Sequence, residues 1–252
     1  MSPVRQWSLV FRRELGALLT MPLFYVLCGI FFLLTSINYA SFLVEFAQGS
    51  KEMTVNVTDS VVRPTFYMVF YFLMIQVPLL TMRVFAEDQA NGMLDLLQTT
   101  QLKNWPLLLG KFSATVAALG MYILVTLLFP AITAMLGDVE WPVVIGSIAA
   151  LVLSVAAFSA IGIFFSSLTE SQVVAAVFSY VTLFALLVAK VLTGTSNIAA
   201  IDDAAQHFAL TEHLEGLLSG NIAPMNVTYF LMLTVCFLFL TARVLESRRW
   251  RA

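Results

Sequence analysis

Apolar residues run through this chain in six long blocks, and polar residues are confined to the gaps between them. The blocks cover residues 22–44, 65–82, 107–136, 141–165, 173–192 and 227–242. Roughly 18–20 apolar residues in a helix cross a hydrocarbon core of ~30 Å. Lipid offers backbone groups no hydrogen-bond partner, so a chain crosses it only as helices or as a closed barrel. These blocks are continuous rather than alternating, which predicts helices. The expected architecture is an all-α integral membrane protein with six transmembrane helices, forming one transmembrane domain over residues 1–252.

Two gaps carry a helical period of their own. In residues 1–20, Val4, Trp7, Phe11, Leu15 and Leu18 recur at helical spacing, while Arg5, Gln6, Arg12, Arg13 and Glu14 fall elsewhere on the wheel. This predicts an amphipathic helix lying in the membrane interface, with Trp7 as its anchor. In the long gap 193–226, residues 201–218 place Phe208, Leu210, Leu214 and Leu217 among Asp202, Asp203, Glu212 and Glu215. One or two short surface helices are expected there, ended by Gly220 and Pro224. Pro78 stands inside the second block and predicts a packing kink. Gly146, Ala150, Ala156, Ala160 and Gly162 give the fourth block a small-residue face for close helix contact, within the subunit or across a dimer.

Charge sets the expected orientation. Arg5, Arg12 and Arg13 precede the first block; Arg83, Lys103 and Lys111 lie around the second gap; Arg243, Arg248, Arg249 and Arg251 end the chain. That is 10 of the 13 basic residues on one side of a six-span chain, against Lys51, Arg63 and Lys190 on the other. The positive-inside rule puts both termini and the second gap in the cytoplasm.

Composition leaves little else. The chain is 60% hydrophobic and 11% charged, whereas soluble domains carry ~25% charged residues. No basic cluster alternates with aromatics, so a nucleic-acid surface is not expected. Cys28 and Cys236 both fall in apolar blocks and read as small apolar residues. The first block is too long for a cleavable leader and lacks a small-residue cleavage site. Asn56-Val57-Thr58 and Asn226-Val227-Thr228 are formal glycosylation triplets of a kind that arises often by chance. His207, Glu212 and His213 do not have the i, i+4 histidine spacing of a helical zinc site, so no metal is expected. No Asp or His lies within a block, which disfavours an intramembrane protease. The block-end charges Arg83, Glu170, Lys190 and Arg243 are badly placed for a proton-coupled carrier.

The segment 85–111 reads FAEDQANGMLDLLQTTQLKNWPLLLGK. Its leucines could fill a partner's groove while its carboxylates meet basic groups on the rim. It resembles the stretch between the second and third spans of ABC-2 type transporter permeases, where E-[ED]-x-x-x-G-[TS]-[LI]-[ED]-L-L is followed by a W-x-x-x-x-G-K-like end. Here the pattern stands as Glu87-Asp88, Gly92-Met93-Leu94-Asp95-Leu96-Leu97, Trp105 and Gly110-Lys111. Met93 departs from the usual small hydroxyl residue, and Gln101 stands where proline is common. Residues 162–176 resemble the tight turn between the fourth and fifth spans of the same permeases. Residues 213–220 and 246–250 are similar to the subgroup related to the gliding-motility ABC permease.

The resemblance implies a non-catalytic subunit with the fold of a type V exporter. It would pair with a second permease chain, identical or different, and with two copies of an ABC ATPase subunit, in the cytoplasmic membrane of a prokaryote. Glu87, Asp88, Gly92, Leu94, Asp95, Leu96 and Leu97 would form a cytoplasmic coupling helix within 85–105, with Trp7, Phe11, Arg12 and Arg13 on an elbow helix beside it. This chain has no G-x-x-x-x-G-K-[ST] loop, so ATP and Mg²⁺ would be held by the partner ATPase. The alternative is a membrane anchor that passes force to a periplasmic or auxiliary subunit through 193–226, without moving a solute.

Overall fold

The computed structural model describes residues 3–49, 56–92, 104–192, 210–221 and 223–249, all of them helical or in short connections. In chain order the helices are α1 (Pro3–Thr20), α2 (Pro22–Gly49), α3 (Arg63–Thr81) preceded by a π-helical turn (Thr58–Val62), α4 (Arg83–Ala90), α5 (Asn104–Thr126), α6 (Leu128–Thr133), α7 (Trp141–Leu168), α8 (Gln172–Leu192), α9 (Leu210–Leu218) and α10 (Pro224–Arg249). Among the described residues six helical stretches are long and apolar enough to cross a membrane. They are α2, the turn with α3 and α4, α5 with α6, α7, α8 and α10. That is the pattern of a multi-pass membrane protein.

The helices outrun the apolar blocks. The last one continues from Ala242 through the basic stretch to Arg249, because Arg and Glu are good helix formers once outside the apolar layer. The third block breaks after Thr126, and Pro130 sits in the short helix that follows. Pro78 does lie inside a helix, and close to it the Tyr180 hydroxyl of α8 donates to the Ile75 carbonyl.

α7 is the centre of the bundle and packs on α3, α4, α5, α8, α9 and α10. In its most apolar window 61% of residues are buried, against 22% for α2 and α8. In lipid, apolar surface gains nothing by leaving the solvent, so close packing and polar links must hold helices together. Both are present. A side chain at Gly162 would collide with Thr81 of α3, and one at Gly146 would come within 2.5 Å of the Leu217 carbonyl of α9. These two small residues therefore serve contacts within the subunit. Gln76 Nε2 donates to the Leu27 carbonyl at 2.9 Å and the Tyr122 hydroxyl to the Phe24 carbonyl at 3.0 Å, pinning α3 and α5 to α2.

The connections sort to two ends. At one end lie α1, the α3–α4 junction, the start of α5 and the α7–α8 turn. At the other, Asn56 Nδ2 donates to Glu140 Oε1, the Glu140 amide donates to Thr58 Oγ1, and α9 covers the ends of α7 and α10. Both Asn residues of the glycosylation triplets are engaged, since Asn226 Oδ1 lies 3.0 Å from His213 Nδ1. Of the expected short helices within 201–218, α9 accounts for Leu210–Leu218, and 201–209 lie outside the described residues.

Candidate functional site

The α1 end holds the chain's most unusual chemistry, a buried lysine. Lys111 lies two turns into α5 and is 3% exposed. Its Nζ sits 3.1 Å from Glu14 Oε1 of α1 and 2.8 Å from Asp88 Oδ2 of α4. It also donates to the Val84 carbonyl at 2.7 Å and lies 5.2 Å from the centre of the Phe85 ring. The Asp88 contact is a close approach of opposite charges rather than an aligned hydrogen bond. A buried ammonium persists only when paired and hydrogen-bonded. One cation thus fastens together three elements that are far apart in sequence.

Each partner arrives for a local reason. α1 packs along α5, and Gly110 makes that approach possible, since a side chain there would strike Val10. Trp7 stacks on Phe11 at 5.6 Å and its indole donates to Ser113 Oγ at 3.1 Å. The packed edge includes the buried Gln6, while Val4 and Leu9 point away at 71% and 53% exposed. Glu14 lies one and two turns beyond Val10 and Trp7 on that edge, which delivers its carboxylate to Lys111.

α4 is positioned by Ser166 at the end of α7. Its hydroxyl accepts from the amides of Phe85 and Ala86 at 2.9 and 3.0 Å and donates to the Met82 carbonyl at 2.8 Å. These are the groups that the break between α3 and α4 leaves unpaired. Gln89 Nε2 adds bonds to the Ser166 and Ser167 carbonyls. Gly92, at φ +65°, ends the helix in the left-handed conformation that favours glycine.

Between α1, α4 and α5 lies a cavity of about 150 Å³, lined by Arg13, Glu14, Arg83, Glu87, Asp88 and Lys111 among others. Three cations face three carboxylates, so the cluster is balanced. Arg83 reaches Glu87 Oε2 at 4.0 Å and the Met21 sulfur at 2.9 Å. The cluster fits a mechanical linkage, strong in a low dielectric and able to part only if its charges find other partners.

Of the residues singled out by sequence, Glu87, Asp88 and Gly92 lie on or at the end of α4, and Trp7, Phe11, Arg12 and Arg13 lie on α1. Asp88 and Arg13 line the shared cavity, and Arg12 is exposed. Leu94, Asp95, Leu96 and Leu97 lie outside the described residues. His213 stacks on Tyr229 at 4.2 Å, and no group of three or more possible metal ligands occurs among the described residues. Sequence reasoning missed Glu14, Lys111 and Ser166 as a group. One signal was available: Lys111 falls inside the block 107–136, where a charge demands a partner.

The chain matches no protein-family model and no curated protein.

Proposed function

We propose that this chain is the permease subunit of an ABC-2 type transporter, working as an exporter, with ATP hydrolysed by a separate subunit. The observation that supports this most is the meeting of Asp88 and Lys111. Both belong to the motif residues on which the resemblance rests, they stand 23 positions apart, and their charged atoms lie 2.8 Å apart. A motif whose two halves close on each other across a helix junction has a structural reason for its spacing.

In this reading α4 and the segment beyond it receive the ATPase, and α1 lies beside them as the elbow. Movement of the ATPase subunits is conveyed through α4 to the second and third spans. ATP then biases the spans between two states, which requires that it bind those states with different affinity. The termini and α4 face the cytoplasm, as the basic residues direct.

The test is purification of the tagged full chain in mild detergent from its native cell, with identification of the chains that come with it. A stoichiometric ATPase carrying a G-x-x-x-x-G-K-[ST] loop is the expected outcome. A monodisperse protein without an ATPase under several gentle conditions would overturn the proposal.

A further inference from the structure

The charged cavity between α1, α4 and α5 holds one group that the fold leaves poorly matched, the guanidinium of Arg83. Lys111 meets Glu14 and Asp88 at 3.1 and 2.8 Å. Arg83 has no such partner. Its Nη1 donates to the Met21 sulfur, a weak acceptor. Its Nε is buried and finds no acceptor among the described residues, with the Glu87 carboxylate 4.0 Å away. A guanidinium presents a planar fork of donors that suits two oxygens of a phosphate. We infer that this cavity binds the headgroup of a membrane phospholipid that carries a primary ammonium, with the phosphate on Arg83 and the ammonium on Glu87, as phosphatidylethanolamine would place them.

The cavity stands at the level of headgroups. One apolar block begins at Pro22, beside Met21, and another ends at Met82, beside Arg83. Met21 and Arg83 both line the cavity, so it lies where two spans leave the apolar layer. Its lining is graded: Arg13, Glu87 and Asp88 are charged, whereas Ala17, Leu18 and Met21 are apolar. A lipid can keep its phosphate among the charges while its chains pass Met21 toward the exposed Tyr25 at the start of α2. Size agrees. A water takes roughly 10–15 Å³ of such space, so about 150 Å³ has room for on the order of ten, more than a phosphoethanolamine group needs.

Charge selects the headgroup. Three cations already face three carboxylates in the cavity. A net anion such as phosphatidylglycerol would leave uncompensated negative charge in a part-buried cluster, which is costly. A zwitterion adds none. Arg83 and Glu87 stand one turn apart on α4, with ~5–6 Å between their Cβ atoms. A headgroup whose phosphate and ammonium are joined by a short linker can lie across them and turn one loose ion pair into two close ones. Glu87 can turn to meet it, since its side chain is 44% exposed. The quaternary ammonium of phosphatidylcholine carries no N–H, so it can approach Glu87 but cannot hydrogen-bond to it.

This inference rests on the chain lying in a membrane and not on any ATPase, so its failure leaves the transporter proposal standing. The full chain, stripped of lipid in detergent, is titrated with dioleoyl phosphatidylethanolamine, phosphatidylcholine or phosphatidylglycerol, and bound lipid is counted by native mass spectrometry. Phosphatidylethanolamine should bind about tenfold tighter than phosphatidylcholine, the worth of one charge-assisted hydrogen bond. Arg83→Gln, which gives up only a weak ion pair, should abolish that preference, and Arg63→Gln at the opposite end should leave it intact. Glu87→Gln should turn the choice toward phosphatidylglycerol, because the cavity then carries net positive charge; a gain of this kind cannot come from misfolding. Equal affinity for the three lipids would overturn the site, as would a preference that survives Arg83→Gln, and the cavity would then hold water only. Displacement of the lipid by inorganic phosphate, but not by glycerophosphoethanolamine, would make it a site for free phosphate and overturn the lipid reading.

Discussion

Replacing Lys111 by Met keeps most of the length of the side chain and removes its charge together with the donor to the Val84 carbonyl. Glu14 and Asp88 then face one another with side-chain exposures of 17% and 16% and no counter-ion between them. Removing one member of a buried ion pair typically costs ~3–5 kcal/mol. Two features bring the cost to or below the bottom of that range, about 2–3 kcal/mol. The carboxylates keep a sixth of their surface open, and Arg13 and Arg83 line the same 150 Å³ cavity. For a chain of this size each kcal/mol moves the midpoint by ~2–4 °C, so the apparent Tm should fall by roughly 5–10 °C. Intrinsic-fluorescence melts of the purified protein in one detergent measure this. The decisive companion is the triple variant Glu14→Gln, Lys111→Met, Asp88→Asn, which removes the lysine with both carboxylates it meets and leaves Arg83 beside Glu87 and Arg13 exposed to solvent. Neutral replacement of a whole buried cluster is often close to neutral in stability, so it should recover at least half of the loss despite carrying three changes. If Lys111→Met melts with the wild type, or the triple variant is worse than the single, the cluster is not a fastening of α1 to α4 and α5.

Ser166→Ala should leave the Phe85 and Ala86 amides and the Met82 carbonyl without their shared partner, at ~1–3 kcal/mol. Hydrogen exchange at those two amides should quicken more than in the middle of α7; unchanged exchange would refute the clamp. Gly162→Ala should force α3 from α7 at Thr81, costing ~1–3 kcal/mol, and the added change Thr81→Gly should recover part of it in the same melts. Single cysteines at Ser171 and Ser219, with Cys28 and Cys236 replaced, should label from opposite faces of sealed cells with a membrane-impermeant maleimide; labelling from one face would refute the six-span topology. If an ATPase docks on α4 as proposed, Glu87→Lys should release it while costing no more than ~1 kcal/mol of stability, because Glu87 is half-exposed and 4.0 Å from Arg83, whereas Asp88→Lys should unsettle the fold.

Continuous apolar runs made the six spans legible, because spacing is not needed to recognise a helix that must be apolar all round. Their ends were less legible. An apolar criterion stops at Ala242, while α10 continues because helix propensity outlasts hydrophobicity. Which edge of α1 packs on α5 was not legible, for a different reason. Its wheel has an apolar stripe through Val4 and Phe11, but the groove at Gly110 selects the edge with Gln6, Trp7, Val10 and Glu14. Only the partner helix knows where its glycine lies. Lys111 shows the same limit: a charge inside an apolar run states that a partner exists, and the identity of Glu14, 97 positions earlier, is set by packing alone.

These contacts also constrain how force can travel if an ATPase docks on α4. Ser166 holds the α3–α4 junction to α7, and Lys111 holds α4 to α1 and α5. A push on α4 therefore cannot simply bend a loop. It must either carry α1 and α5 with it as one block, or break a buried ion pair. The first leaves the ion pair intact, and it spares the Ser166 bonds to the Phe85 and Ala86 amides only if the end of α7 moves as well. Rigid motion of α1, α4, the start of α5 and the end of α7 is thus the cheaper response, and the charged cavity between α1, α4 and α5 is the joint that keeps the block together.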